Sequence, residues 1–177
     1  MWMTALFVFL GLVGLVIALV FIIPLFLPKS YSIEKTIEIK ASAETVVDKV
    51  ADLNQYSAWN PFSLMEPDAS KKVTGKPRTP GHRYEWEGTK IGVGSLTVKK
   101  VEANKKVEIE LEFIKPWKAI ADDIWTFEEH NGVTKVTWRN QGPLAYPAAR
   151  LMGPFITKNL NQQFEMGLAN IKTLCEK

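Results

Sequence analysis

The sequence predicts an α+β protein in which an antiparallel sheet curls around one long C-terminal helix, preceded by one transmembrane helix. Three observations support this prediction. Residues 2–27 carry no charged side chain. Much of the chain between residues 30 and 140 alternates apolar and polar side chains, whereas residues 147–176 repeat apolar side chains at spacings of three and four. A period of two indicates strands with one buried face, and the longer spacing indicates a helix.

The uncharged N-terminal run is long enough to cross a bilayer. As a helix it would extend about 39 Å, against a hydrocarbon core of about 30 Å. A cleaved signal peptide is the alternative, but no Lys or Arg precedes the run and no small-residue cleavage motif follows it. We therefore expect residues 1–28 to be an uncleaved single-pass anchor and residues 30–177 to form one ligand-binding domain.

Charges and small residues around the anchor suggest its orientation and packing. Lys29, Lys35 and Lys40 follow the run, so the positive-inside bias favours the cytoplasmic face for the domain. Gly14 and Ala18 form a small-xxx-small pair that would allow a weak homodimer. The net charge of +3 is small and dispersed, so we expect no nucleic-acid partner.

The predicted elements after the anchor are a strand, a pair of helices, a series of strands and one long helix. Ser42 is placed to cap the first of these helices. Asn131 and Gly132 favour a type I′ turn between the last two strands, because both tolerate positive φ. Gly153-Pro154 is expected to kink the last helix or to split off its first turn. Only that helix is long enough to cover the sheet, and a cavity would form between the two. The predicted strands cover residues 30–39, 71–74, 82–86, 91–101, 107–113, 119–129 and 133–140.

Several stretches in this order carry a family resemblance. They are YSIEKTIEIKASAETV (31–46), WNPF (59–62), YEWEG (84–88), VTKVTW (133–138) and FEMGLANIK (164–172). Together they resemble the helix-grip fold of the START/Bet v 1-like SRPBCC superfamily, and in particular bacterial polyketide cyclase/dehydrase-like proteins. The resemblance covers most of the chain after the anchor. It implies a hydrophobic cavity for lipids or other small apolar molecules, and it carries no catalytic motif because the superfamily shares none.

Bulky side chains on the inward strand faces and on the last helix are candidates for the cavity wall. Strand parity groups Trp86 with Tyr84 and Trp125 with Phe127. Large rings with a polar edge suit a mixed ligand, although any one Trp can instead fill an ordinary core. The residues that we expect to contact the ligand are Trp59, Tyr84, Trp86, Leu96, Leu111, Phe113, Trp125, Trp138, Phe155 and Phe164.

Two polar residues share these inward faces. Asp123 has the parity of Trp125, and His82 has the parity of Tyr84. An inward carboxylate needs a partner or a raised pKa, and it could orient a ligand hydroxyl or act as a general base. The alternative is that the strand bulges at Asp122-Asp123 so that both acids face water, and that His82 is exposed near a strand start. We assign no catalytic residue and keep Asp123 and His82 as candidates.

Other chemistries are not indicated. Two histidines and one cysteine are too few for a zinc cluster, and no phosphate-loop, dinucleotide or nucleophile-elbow motif is present. We expect no metal and no cofactor. The expected function is membrane-anchored binding of a lipid or other small hydrophobic ligand rather than catalysis. Two alternatives stay open: a polyketide cyclase/dehydratase-like enzyme acting on a hydrophobic substrate, and a partner-binding or structural module at the membrane.

Overall fold

The computed structural model describes residues 2–177, and its elements follow the predicted order. The helices are α1 (Trp2–Ile22), α2 (Ala43–Ala51), α3 (Tyr56–Trp59), α4 (Pro61–Met65) and α5 (Ala148–Cys175), with a 3₁₀ turn at Ile23–Leu25. The strands are β1 (Ser30–Ile39), β2 (Ser70–Thr74), β3 (Arg83–Glu87), β4 (Val93–Glu102), β5 (Lys106–Lys115), β6 (Ala119–His130) and β7 (Val133–Pro143). The predicted α+β fold class is confirmed.

The seven strands form one antiparallel sheet in the order β1-β7-β6-β5-β4-β3-β2. Side chains alternate across it: in β6, Ala121, Asp123, Trp125 and Phe127 are buried, and the residues between them are more exposed. The long helix α5 covers the buried face and contacts β1 more than any other strand. This is the sheet curled around a C-terminal helix that the sequence predicts.

Local signals explain two of the element boundaries. The Ser42 side chain accepts a hydrogen bond from the backbone N–H of Thr45 over 3.3 Å and so caps α2. Between β6 and β7, Asn131 and Gly132 have φ values of 52° and 76°, as the expected type I′ turn requires.

Helix α5 continues through Pro154, so of the two expected effects of Gly153-Pro154 the split of the first turn does not occur. Pro154 offers no N–H for a bond within the helix. Arg150, in the first turn, donates from Nε to the carbonyl of Leu144 outside the helix over 3.3 Å. The first turn is part of a single element from Ala148 to Cys175.

The end of α1 is hydrogen-bonded to the domain. The hydroxyl of Tyr146 donates to the carbonyl of Phe21 over 2.7 Å, and Nη1 of Arg150 donates to the carbonyl of Pro24 over 3.2 Å. The helix itself has no buried residue, but Pro24 just beyond it is buried. The domain therefore covers the end of α1 and leaves the rest of the helix exposed.

Strand register identifies the end of the sheet that lies next to α1, which we call the anchor end. Ser30 of β1 pairs with Pro143 of β7, directly after the apolar run. On the neighbouring strands, Ala119 of β6 pairs with Phe113 of β5. The β5–β6 connection therefore also lies at the anchor end, whereas Ala103 in the β4–β5 turn lies at the opposite end.

Candidate ligand cleft and the buried polar chain beside it

Aromatic rings stack in the middle of the buried face. Trp125 and Trp138 lie opposite each other on β6 and β7, with ring centroids 4.4 Å apart. Phe164 of α5 stacks on Trp138 at 3.7 Å, and Trp59 packs nearly perpendicular to both indoles. All four side chains are at most 2% exposed. At this level the protein's own side chains fill the space in which the sequence predicts a cavity, because facing strands place two large rings side by side.

A second group of predicted ligand contacts continues the core toward β3. Trp86 packs edge-on against Phe113 at 6.0 Å, and Tyr84 and Leu96 are buried beside them. Leu111 is half-buried against the same cluster. The structure thus brings nine of the ten predicted residues together as one hydrophobic core. Their contact with a ligand stays a prediction.

Phe155 is the tenth residue, and the structure separates it from the others. Its side chain is 67% exposed, whereas Phe164 on the same helix is 2% exposed. Nine positions separate the two, and at about 100° per residue they point to opposite sides of α5. Phe155 therefore faces away from the sheet, at the anchor end.

A cleft opens beside the filled core, where α1 meets β1 and the first turns of α5. Its volume is about 440 Å³, within the range of small-molecule sites. We call it the anchor-end cleft; its lining residues are Leu27, Pro28, Ser30, Tyr31, Ser32, Leu144, Arg150, Gly153, Pro154, Thr157, Lys158 and Asn161. Sequence reasoning named none of them as site residues. The signal that could have pointed there is Tyr31, an aromatic residue on the inward face of β1.

A chain of hydrogen bonds leads from this cleft into the core. The Tyr31 hydroxyl donates to Oδ1 of Asn140 over 2.8 Å, and Nδ2 of Asn140 donates to Oδ1 of Asp123 over 2.7 Å. Nε1 of Trp138 donates to the same carboxylate oxygen over 3.0 Å. Asn140 and Asp123 are 2% and 5% exposed. The cleft wall and the aromatic stack are thus joined by one buried polar chain.

The structure places Asp123 inward and Asp122 outward. The strand does not bulge there, since Asp122 and Asp123 pair in regular register with Gln141 and Asn140. Burial raises the pKa of the Asp123 carboxyl to about 6, although the hydrogen bonds from Trp138 and Asn140 act in the opposite direction. Burial, followed by the charge of Asp123, raises the pKa of Tyr31 to about 12.

This chain positions groups and does not relay protons. Asn140 accepts through its carbonyl and donates through its amide, so no proton can pass through it between Tyr31 and Asp123. Tyr31 lines the cleft, and Asp123 does not. The second oxygen of Asp123, Oδ2, has no hydrogen-bond partner among residues 2–177.

His82 has a structural position, and it is buried where the alternative interpretation expects exposure. Its Nε2 accepts from the backbone N–H of Leu53 over 3.0 Å, so Nδ1 carries the proton and donates to the carbonyl of Thr74 over 2.9 Å. The ring is 1% exposed and joins the end of α2 to β2. Both nitrogens are engaged away from the anchor-end cleft, so the structure assigns His82 no part in this site.

A second cleft of about 310 Å³ lies at the turn between β3 and β4. There the Glu66 carboxylate accepts from the backbone N–H groups of Thr89, Lys90 and Ile91 over 2.9–3.1 Å. These bonds hold the pKa of Glu66 at about 2. The acidic lining includes Asp68. The side chain of Glu66 thus satisfies the backbone donors of this turn.

No group of three or more His, Cys, Asp or Glu side chains that could hold a metal ion occurs within residues 2–177. Cys175, the one cysteine, is a half-buried free thiol near the end of α5. The donor set of the anchor-end cleft consists of hydroxyls, an amide and two cations, which is not a metal-binding set.

Most of the chain matches a known protein family. Residues 30–176 match the family described as polyketide cyclase / dehydrase and lipid transport. The chain belongs to this family. The resemblance noted from the sequence is confirmed, and the family match starts where the apolar run ends. No curated protein is similar enough to the chain to count as a match.

Solved structures share the fold of this polyketide cyclase/dehydrase family member. The crystal structure of a Chromobacterium violaceum protein has a TM-score of 0.62 at 14% identity, covering 82% of this chain and 97% of that one. The solution structure of the Aha1 dimer from Colwellia psychrerythraea has a TM-score of 0.57 at 18% identity, covering 82% and 96%. The di-domain ARO/CYC protein BexL of the BE-7585A biosynthetic pathway has a TM-score of 0.60 at 16% identity, covering 84% of this chain and 50% of BexL. At these identities the likeness shows the fold alone.

Proposed function

We propose that this protein is a membrane-anchored binding module that holds a lipid or another small hydrophobic ligand in the anchor-end cleft. The observation that carries this proposal is the position of the cleft. Leu27 and Pro28, the last residues of the apolar run, line one side of it, and the first turns of α5 line another. A ligand that leaves the bilayer beside α1 would enter the cleft without crossing water. The family description, which includes lipid transport, agrees with this proposal.

Contacts at the end of α1 support a retained anchor. The helix and its 3₁₀ turn span Trp2–Leu25, which is long and apolar enough to cross a membrane. A signal peptide that is removed has no reason to be built into the mature domain. Here Tyr146 and Arg150 of the domain donate hydrogen bonds to the last carbonyls of that segment, at Phe21 and Pro24.

Exposed apolar side chains at the anchor end support contact with the same membrane. Trp117, in the connection between β5 and β6, is 62% exposed, and Phe155 on α5 is 67% exposed. Lys115 and Lys118 flank Trp117 in sequence. Tryptophan and lysine together are typical of the membrane–water interface. We place the domain on the cytoplasmic face, from the lysines after the span, and a C-terminal reporter active on one side only would test this.

The experiment that tests ligand binding uses the full chain purified in a mild detergent. Organic extraction followed by mass spectrometry identifies copurifying lipid, and a fluorescent fatty acid measures binding. Thr157→Trp places a large ring in the cleft, because Thr157 lines it. Asn159→Trp is the matched control, since Asn159 is exposed on the same helix and does not line the cleft.

We expect the wild type and Asn159→Trp to carry ligand and Thr157→Trp to lose it. If Thr157→Trp keeps as much ligand as the control, the cleft is not the binding site. If the wild type carries no lipid and binds no fatty acid, the proposal fails. The filled aromatic core and the exposed surface around Trp117 then favour the partner-binding alternative.

The second candidate function is an enzyme, and Asp123 favours it. A buried carboxyl with a pKa of about 6 and an unpartnered oxygen is suited to exchange protons near neutral pH. Asp123→Asn keeps the size and the acceptor for Trp138 and Asn140 but cannot exchange a proton. A binding module would copurify with the same ligand as the wild type, whereas an enzyme would accumulate a different molecule, its unreacted substrate.

A further inference from the structure

The charge of the anchor-end cleft is one-sided. Of its twelve lining residues, Arg150 and Lys158 are the only charged ones, and none is an Asp or Glu. The second cleft, at the same end of the sheet, has the opposite character, with three carboxylates and one lysine among its lining residues. Positive charge is therefore a property of this cleft and not of the whole end of the domain.

Arg150 is held in place by carbonyls. Its Nε donates to Leu144 and its Nη1 donates to Pro24, while its guanidinium lies 5.4 Å from the ring centre of Tyr146. Neutral carbonyls and a ring fix the position of a cation without cancelling its charge. Within residues 2–177, Nη2 of Arg150 donates to no protein group, so a donor stays available to a ligand.

Lys158 is the second cation, and it forms no ion pair within residues 2–177. It contrasts with Lys35, which also lies at the interface of β1 and α5 but is paired with Glu165 at 2.6 Å. Asn161 donates to the carbonyl of Thr157 over 2.8 Å. The polar part of the cleft thus offers cationic donors without a competing carboxylate.

The apolar part of the cleft adjoins these cations. Leu27, Pro28, Leu144 and Pro154 provide hydrocarbon surface at the point where α1 ends. An amphiphile could place its chain against these residues and its headgroup near Lys158 and Arg150. Cations at this level are attracted to anionic groups at a membrane surface, and hydrogen bonds from a cation to an oxyanion are stronger than those to a neutral oxygen.

We infer that the anchor-end cleft selects amphiphiles with an anionic headgroup, a carboxylate or a phosphate, over neutral ones of the same chain. This inference rests on the proposed binding function. Its site residues are Lys158 and Arg150 for the headgroup and Tyr31 for the polar wall of the cleft.

The experiment measures affinities of the full chain in neutral detergent by native mass spectrometry. The probes share an oleoyl chain: oleate, oleoyl lysophosphatidic acid and neutral monooleoylglycerol. Lys158→Gln removes one cation, and Lys158→Arg restores it. Lys118→Gln is the matched control, because Lys118 is an exposed lysine at the same end and does not line the cleft. Arg150 is left intact because it also holds the end of α1.

We expect the two anions to bind the wild type about tenfold more tightly than monooleoylglycerol, as one charge-assisted hydrogen bond allows. Lys158→Gln should remove most of that difference and leave the neutral probe unchanged, whereas Lys158→Arg and Lys118→Gln should keep it. The anion that binds more tightly shows whether the cleft prefers a carboxylate or a phosphate headgroup.

Two outcomes would overturn the inference. Equal affinity for all three probes, abolished by Thr157→Trp, would keep the proposed function and reject the charge selection. An anion preference that Lys158→Gln does not reduce would place the anions elsewhere. Failure of every probe to bind would instead reject the proposed function itself.

Discussion

Arg150 donates a hydrogen bond from Nη1 to the carbonyl of Pro24 over 3.2 Å, and this bond joins the first turn of α5 to the end of the apolar N-terminal helix. A cation at this place also faces the negative end of the α1 dipole. Tyr146 adds a second bond, to the carbonyl of Phe21. Because Arg150 also lines the cleft, the position of α1 and the shape of the cleft depend on each other.

Tyr146→Phe is expected to loosen the contact between α1 and the domain without unfolding the domain. The variant removes only the hydroxyl that bonds to Phe21, and one hydrogen bond contributes about 1 kcal/mol. The contact between α1 and the domain should therefore open about five times as often. Trypsin cleavage after Lys29 in the reconstituted full chain measures this opening. The melting temperature of the domain should not change. Equal cleavage rates in the variant and the wild type would show that this hydrogen bond does not hold α1 against the domain.

Asp123→Asn is expected to change how stability depends on pH. The pKa of Asp123 rises from an ordinary 3.8 to about 6 on folding, so the folded state binds its proton more tightly than the unfolded state. Its favourable contribution is complete below pH 4 and is lost as pH rises toward 6 and above. Between pH 4 and pH 8 the wild type should lose up to about 3 kcal/mol of stability that Asp123→Asn keeps.

Urea unfolding of both proteins between pH 4 and pH 8 measures this difference directly. Other acids titrate equally in the two proteins and cancel. Asp123→Ala is the control, because it leaves the N–H groups of Trp138 and Asn140 without their acceptor and should be destabilising at every pH. A stability difference between the wild type and Asp123→Asn that does not vary with pH would mean that Asp123 titrates normally.

Strand parity and the helical spacing of α5 together predicted the fold, and parity favoured an inward Asp123, because a pleated strand sends alternate side chains to opposite faces. Parity left a bulge at Asp122-Asp123 open, and only the strand register excludes it. Parity could not predict that Trp125 and Trp138 stack, since their pairing depends on the register of two strands. Helical periodicity, by contrast, does separate Phe155 from Phe164, since nine residues at about 100° each place them on opposite sides of the helix, so including Phe155 among the ligand contacts was wrong about its face. Whether large rings enclose a space or fill it is decided by packing between elements that are far apart in the sequence.

The sequence could not predict the anchor-end cleft, for a related reason. Its walls come from the end of α1, from β1 and from α5, and no local pattern connects Leu27 with Lys158. Asn140, on the inward face of β7 beside Trp138, was the polar signal available for the buried chain. Its partner Tyr31 lies more than a hundred residues away in the sequence, and only the pairing of β1 with β7 brings them together.

Gly167→Ala and Gly153→Ala form a matched pair that tests the packing of α5. A Cβ at Gly167 would lie 3.0 Å from the Trp138 ring and 3.3 Å from Pro61, both of them rigid neighbours. Overpacking of this kind costs about 1–3 kcal/mol and exceeds the roughly 1 kcal/mol that Ala gains over Gly in a helix. Apart from its chain neighbours, a Cβ at Gly153 meets a methyl group of Leu144, at 3.1 Å, which can rotate away. The ring of Pro154, the next residue, adds a cost to any Cβ there.

We therefore expect Gly167→Ala to lower the free energy of unfolding more than Gly153→Ala does. Urea unfolding followed by tryptophan fluorescence would measure both. Equal effects at the two positions would mean that the stack of Trp138 and Phe164 yields to one methyl group.

Glu66→Gln is expected to weaken the turn between β3 and β4 at neutral pH. The folded pKa of Glu66, about 2, lies below its ordinary value of 4.5, so its contribution to stability is present above pH 4.5 and is lost as pH falls toward 2. Amide exchange at Thr89, Lys90 and Ile91 should be faster in Glu66→Gln than in the wild type at pH 6. The difference should shrink as the pH falls. A difference that does not depend on pH would indicate that the carboxylate charge has no part in holding the turn.

The surface around Trp117 is expected to lie in the membrane interface when the full chain is reconstituted in vesicles. Trp117→Cys and Ala103→Cys, each combined with Cys175→Ser, place a single environment-sensitive fluorophore at opposite ends of the sheet. The label at position 117 should be quenched by spin-labelled lipid and protected from aqueous iodide. The label at position 103 should show the reverse, because the length of the strands separates it from the anchor end. Identical quenching at the two positions would mean that the domain is not held against the bilayer, and a ligand would then have to cross water to reach the cleft.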